Sequence, residues 1–139
     1  HEKKHKMVHN DSHKFESNFV SLEIPKNNSV MFGSLSGTKL GVWVAHGEGK
    51  FEFPYEEKEY NIIAKYNYDG YPANPNGSPW SVAGVCSKDG RHLAMMPHPE
   101  RAIFPWQCGY YPADRKENDE VTPWIEAFVN ARKWIENNK

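Results

Sequence analysis

Only the last stretch of this chain carries the repeat of a surface helix; everything before it is cut into short apolar runs by proline, glycine and asparagine. Trp124, Phe128, Ala131 and Ile135 fall on one stripe, Thr122 is placed to cap, and Pro123 suits the first helical position. The upstream runs are too short for helices and rich in β-branched and aromatic residues, which predicts strands. A sheet with one late helix is what such a pattern can build. The length of 139 residues suits a single domain.

Val20, Leu22 and Ile24 alternate with polar positions, predicting a half-buried strand stopped by Pro25-Lys26-Asn27-Asn28. Residues 29–35 read as a short helix or an irregular turn. Residues 41–45, Gly-Val-Trp-Val-Ala, are apolar throughout and predict a strand buried on both faces, ending in a flexible polar corner, His46-Gly47-Glu48-Gly49. An aromatic and charged excursion covers 51–60, and residues 62–66 form another β-prone run. Residues 71–79 hold proline, asparagine and glycine at turn density and predict a loop. Residues 82–87 and 93–96 flank Lys88-Asp89-Gly90-Arg91, whose Asp-Gly pair signals a hairpin. Residues 105–120 read as irregular, ending in a charge cluster.

Composition narrows the function. Seventeen basic against eighteen acidic residues leave a net charge of −1, so no basic face is available for nucleic acid. No apolar run approaches the ~20 residues of a membrane span, and nothing resembles a signal peptide, so a cytoplasmic protein is expected. Cys86 and Cys108 are too few for a disulfide scaffold and sit in no zinc pattern. His1, His5, His9 and His13 recur every fourth residue and would stack on a helix, where they could chelate a metal; a solvated strand or frayed terminus is the competing expectation. Five tryptophans, seven tyrosines and the Pro-Asn-Gly loop would suit a carbohydrate- or peptide-binding module.

Such a module has no need of Met95-Met96-Pro97-His98-Pro99-Glu100-Arg101. Pro99 pushes His98 out of the helical region, so the segment is predicted to be stiff and extended. Positions two apart then face one side, presenting His98 and Glu100 together. A carboxylate there can accept one ring N–H, fix the tautomer and leave the other nitrogen as a base. A His–Glu hydrogen bond without chemistry is the alternative. No nucleophile is evident beside them. Cys86 opens like a nucleophile elbow but leads into a hairpin rather than a helix, which predicts a buried core thiol; Cys108 lacks a strand–helix context, and Ser78 and Ser81 lie in or beside the proline-rich loop.

Residues 41–49, 71–79 and 95–101, in that order, resemble the glutamine amidotransferase domain that closes the large, fused phosphoribosylformylglycinamidine synthases, and residues 123–132 resemble its end. The resemblance implies an α/β fold: the second half of a class I amidotransferase, flavodoxin-like with a mainly parallel sheet, an antiparallel hairpin and a C-terminal helix. It implies that residues 1–139 are the carboxy-terminal portion of that domain, following the half that bears the nucleophilic cysteine. It matches His98 to the base of a cysteine–histidine–glutamate triad, Glu100 to its orienting acid, and His46, Gly47 and Glu48 to the corner against bound glutamine. ATP and magnesium would belong to a synthetase domain that aminates formylglycinamide ribonucleotide in purine biosynthesis, with no cofactor in this segment. The partners implied are glutamine, the preceding half of the domain and the synthetase domain. The alternatives are a non-catalytic binding or interaction module on the same fold, or a separate small glutaminase subunit; the C-terminal helix pattern favours the fused form.

Overall fold

The structure, a computed structural model, describes Lys4 and residues 6–139, so His1 and His5 lie outside the described residues. The described strands are β1 (Lys6–Val8), β2 (Glu16–Glu23), β3 (Lys39–His46), β4 (Lys50–Glu52), β5 (Asn61–Tyr66), β6 (Val82–Cys86) and β7 (Leu93–Met95). A four-residue helix α1 (Ala113–Lys116) and the longer α2 (Ile125–Asn137) follow. Five strands form one sheet in the order β3-β2-β5-β6-β7, and β1 pairs separately with β4.

The α/β class holds, but the expected mainly parallel pairing does not. Among the described residues every strand pairing is antiparallel. The cause lies in the connections. A parallel pair needs a crossover of a dozen or more residues, usually a helix, whereas only single 3₁₀ turns and loops separate these strands.

The β2–β3 ladder runs from Glu16↔His46 to Glu23↔Lys39. It buries Val20, Leu22, Val42 and Val44 against Ile24, Phe32, Leu35, Ile63 and Trp124. β3 is thus buried on one face, not two: it is an edge strand on which Trp43 and Ala45 are only half-buried. The interior strand β6 buries both faces, from Val82 to Val85. Gly41 is required for packing, because a Cβ there would come within 2.5 Å of the Phe19 ring.

The sheet curls until its two ends approach. The chain leaving β7 returns to β3, where the His98 N–H donates to the Trp43 carbonyl at 2.8 Å in an isolated antiparallel bridge. Two residues back, the Trp124 indole N–H donates to the Gly41 carbonyl at 2.9 Å.

Thr122 does not cap α2. Its hydroxyl donates to the Ala102 carbonyl at 2.5 Å, a tertiary bond that outcompetes the local one. Trp124 and Ala127 are buried, whereas Phe128 and Ile135 of the expected stripe are exposed, because only the start of the helix joins the core. The described part of the amino-terminal segment is not helical either. Residues 6–8 are strand and His13 takes a left-handed φ of 57°. Among the described residues no group of three or more His, Cys, Asp or Glu side chains is placed to hold a metal, and no helix is long and apolar enough to cross a membrane.

Candidate active site

His98 sits just beyond β7, its backbone extended at φ −111° and ψ 83°. Pro99 then starts a 3₁₀ turn, Pro99–Arg101. The expected pair forms: His98 Nδ1 lies 2.7 Å from Glu100 Oε1. Its cause differs from strand alternation, since the turn at Pro99 folds Glu100 back toward the ring. With Nδ1–H donating to the carboxylate, Nε2 is left to act as a base. The side chains are 30% and 56% exposed, so the pair is open to solvent on one side. It borders a cleft of about 270 Å³ whose walls include Met31, Phe32, Met95 and Phe128.

The corner at the end of β3 is buried at its two ends, His46 and Gly49, and is not the flexible turn its composition suggests. His46 is 4% exposed and both of its ring nitrogens are buried without a hydrogen-bond partner among the described residues. Burial pushes its imidazole below the ordinary histidine range, opposed by its own backbone and by the charge of Glu16, with His98 adding to the shift. Glu16, directly across the ladder, is itself buried, with Oε1 unpartnered and Oε2 accepting from the Tyr71 hydroxyl at 3.5 Å. Glu16 was missed from the sequence, although it shares the inward parity of Val20 and Leu22. The Glu48 side chain is exposed and faces His9 Nε2 at 3.5 Å. Gly47 is half-buried, with Phe15 the nearest neighbour to a built Cβ, at 3.9 Å.

Gly49 closes the corner so tightly that a Cβ would stand 2.5 Å from His46 Nδ1. Gly49→Ala is therefore expected to destabilise the protein by ~1–3 kcal/mol, as overpacking does. Gly47→Ala should cost less. Denaturant midpoints of the two variants check this ordering.

Neither cysteine borders the His98 cleft. Cys86 is not the expected buried core thiol: it lies half-buried at the end of β6, where Asn61 Nδ2 donates to its sulfur at 3.0 Å. Burial, and secondarily the charge of Asp89, push this thiol up. Burial also raises Cys108, against an opposing pull from Lys116. Raised thiols hold little thiolate at neutral pH, so neither is an activated nucleophile. Ser78 and Ser81 are buried structural hydroxyls, Ser78 accepting from the Phe51 N–H at 3.0 Å and Ser81 donating to Asp69 at 2.7 Å.

A curled sheet with one C-terminal helix, carrying a glutamate-oriented histidine beside a buried strand-end corner, fits the glutamine amidotransferase class. Residues 1–135 match the CobB/CobQ-like glutamine amidotransferase domain family, and the chain belongs to it. Among curated proteins it is 43% identical over 95% of its length to the probable chloroplastic/mitochondrial phosphoribosylformylglycinamidine synthase of Arabidopsis thaliana. It is likewise 43% identical over 91% of its length to the phosphoribosylformylglycinamidine synthase of Homo sapiens. The chain spans only about 10% of the length of each of these relatives. In three dimensions it resembles the structure of PurLQS from Thermotoga maritima, with a TM-score of 0.72 and 25% identity over 96% of this chain and 54% of that one.

Proposed function

We propose that this chain is the base-bearing, carboxy-terminal portion of the glutaminase domain of a phosphoribosylformylglycinamidine synthase. The observation that carries the proposal is the His98–Glu100 pair at 2.7 Å, in a chain more than two-fifths identical to synthases of that name. His98 takes the proton from a cysteine thiol, Glu100 fixes the ring and stabilises its charged form, and the corner of His46, Gly47 and Glu48 receives glutamine. The thiolate attacks the carboxamide carbon, ammonia leaves with a proton returned by His98, and water cleaves the thioester to glutamate.

The thiol comes from the preceding half of the domain in this scheme, since neither Cys86 nor Cys108 lines the His98 cleft and burial pushes both thiols up. Ammonia passes to a synthetase domain, where ATP and magnesium activate formylglycinamide ribonucleotide; no residue here is assigned to either. The cytoplasm is the compartment proposed.

The test is an assay of the full-length protein with glutamine or ammonium as nitrogen donor. Both are expected to support ATP-dependent amidine formation. Glu100→Gln should lower only the glutamine-dependent rate, and by less than the ~10²–10⁴ that a general base contributes, because an amide still orients the ring. No glutamine-dependent product from the wild-type protein, with ammonium still used, would overturn the proposal.

A further inference from the structure

The proline-rich loop at residues 71–79 has no part in the chemistry just described, yet its asparagines are among the most buried polar groups in the chain. Asn76 is 0% exposed. Its Nδ2 donates to the Gly49 carbonyl at 2.7 Å and to the Tyr66 hydroxyl at 3.1 Å, while its Oδ1 accepts from the Ser78 N–H at 3.0 Å. Asn74 braces the same loop, donating to the Ser78 carbonyl at 3.0 Å and accepting from the Gly77 N–H at 3.1 Å.

The opposite side of the corner is held in the same way. Asn10, 1% exposed, donates through Nδ2 to the His46 carbonyl at 2.7 Å and accepts the Gly49 N–H at 2.9 Å. Its own backbone N–H donates to the Gly47 carbonyl at 2.9 Å. The segments that carry the two asparagines are tied together, because the N–H of Asp11, next to Asn10, donates to the Asn76 carbonyl at 3.2 Å.

We propose that Asn76 is a positioning residue for glutamine: the loop it anchors, with Asn10 opposite, clamps the His46–Gly49 backbone in the shape that receives the substrate. The inference rests on the amidotransferase function proposed above. An apolar side chain would fill the same space at less risk, since a buried amide is costly unless each of its groups is paired. What the amide adds is direction. It fixes one carbonyl from a strand-end corner to one loop, and substrate-binding backbone must be held within ~0.5 Å of its productive geometry. Burial keeps the Tyr66 phenol protonated, well above its ordinary range, so it remains a neutral partner for the same amide.

Asn76→Asp in the full-length protein keeps the shape and the acceptor for Ser78 but withdraws the donor from Gly49. The expected result is a rise in KM for glutamine of ~10-fold or more, with the ammonium-dependent rate unchanged, because misplacement by about 1 Å costs up to ~10² in such sites. Tyr66→Phe removes the other partner of Asn76 and leaves the Gly49 contact, so its KM for glutamine should stay within about twofold. The proposal is overturned if Asn76→Asp lowers both activities in step, or if Tyr66→Phe raises KM equally. Should Asn76→Asp fail to fold, Asn10→Asp withdraws the donor from the His46 carbonyl and must show the same split; an unchanged KM there overturns the clamp. His98→Ala, run alongside, separates the two levels. Absence of glutamine-dependent product from the wild-type protein defeats the amidotransferase proposal and intact turnover in His98→Ala defeats the assignment of its base, whereas an unaltered KM in Asn76→Asp beside a lost turnover in His98→Ala defeats only the positioning role.

Discussion

His98→Ala in the full-length protein is expected to lower glutamine-dependent synthesis by ~10²–10⁴, the contribution of a positioned general base, while synthesis from ammonium persists. The imidazole is the only part of the residue removed. Its backbone bond to the Trp43 carbonyl at 2.8 Å does not involve the ring, so the bridge from this segment to β3 survives the change. The substitution therefore separates chemistry from fold more cleanly than most at such a site. Without the ring the thiol loses its proton acceptor and the departing ammonia its proton donor. Parallel rate measurements with the two nitrogen sources decide the matter. An equal loss with both would make His98 structural.

The largest expected effect on stability is that of Trp124→Ala, at ~3–5 kcal/mol, the range for deleting a buried large aromatic side chain. Trp124 is 1% exposed and meets Phe32 edge-on, with centroids 5.8 Å apart at 82°. Its indole N–H is also the donor to the Gly41 carbonyl at 2.9 Å. Alanine would open a cavity and strip that carbonyl of its partner at once. Trp124→Phe keeps most of the volume but not the donor, so it should cost clearly less. A loss of this size is a large fraction of the ~5–15 kcal/mol that stabilises a typical domain, and denaturant unfolding of the two variants would show it as a shifted midpoint. Nearly equal midpoints for wild type and Trp124→Ala would mean that α2 is not anchored by this residue.

What could be read from the sequence was local. The inward parity of Val20, Leu22 and Ile24 is a two-residue repeat, and all three are buried. The Asp89-Gly90 turn is a short-range signal, and the hairpin closes with the Ser87 N–H on the His92 carbonyl at 2.8 Å. The extended backbone of His98 is legible because proline restricts its neighbours regardless of the rest of the fold, whereas the turn that brings Glu100 to its ring does not follow from that rule. What failed to show depends on partners far along the chain. Thr122 carries a capping signature, yet its hydroxyl answers to Ala102, twenty positions earlier. The His46–Gly49 corner has the composition of an exposed turn, yet its ends, His46 and Gly49, are buried, held by Asn10 and Asn76 from 36 and 27 residues away. Strand direction is set by the short connections between strands, which the fold class alone does not fix. β1 and β4 have three residues each, too few to show any period.

The bridge between His98 and Trp43 has a further consequence for how the molecule behaves among its neighbours. β3 is an outer strand, and outer strands offer unpaired acceptors to any extended chain that drifts past, which is a route to edge-to-edge aggregation. Here the Gly41 and Trp43 carbonyls, two residues apart on the same strand, are already taken by the Trp124 indole and the His98 N–H. The residue that presents the candidate base thereby also seals a sticky margin of the sheet. Because it does so through its main chain, selection is free to act on the imidazole without unsealing that margin. Proline is the exception: lacking the N–H, it would reopen an acceptor on the rim even if every other contact survived.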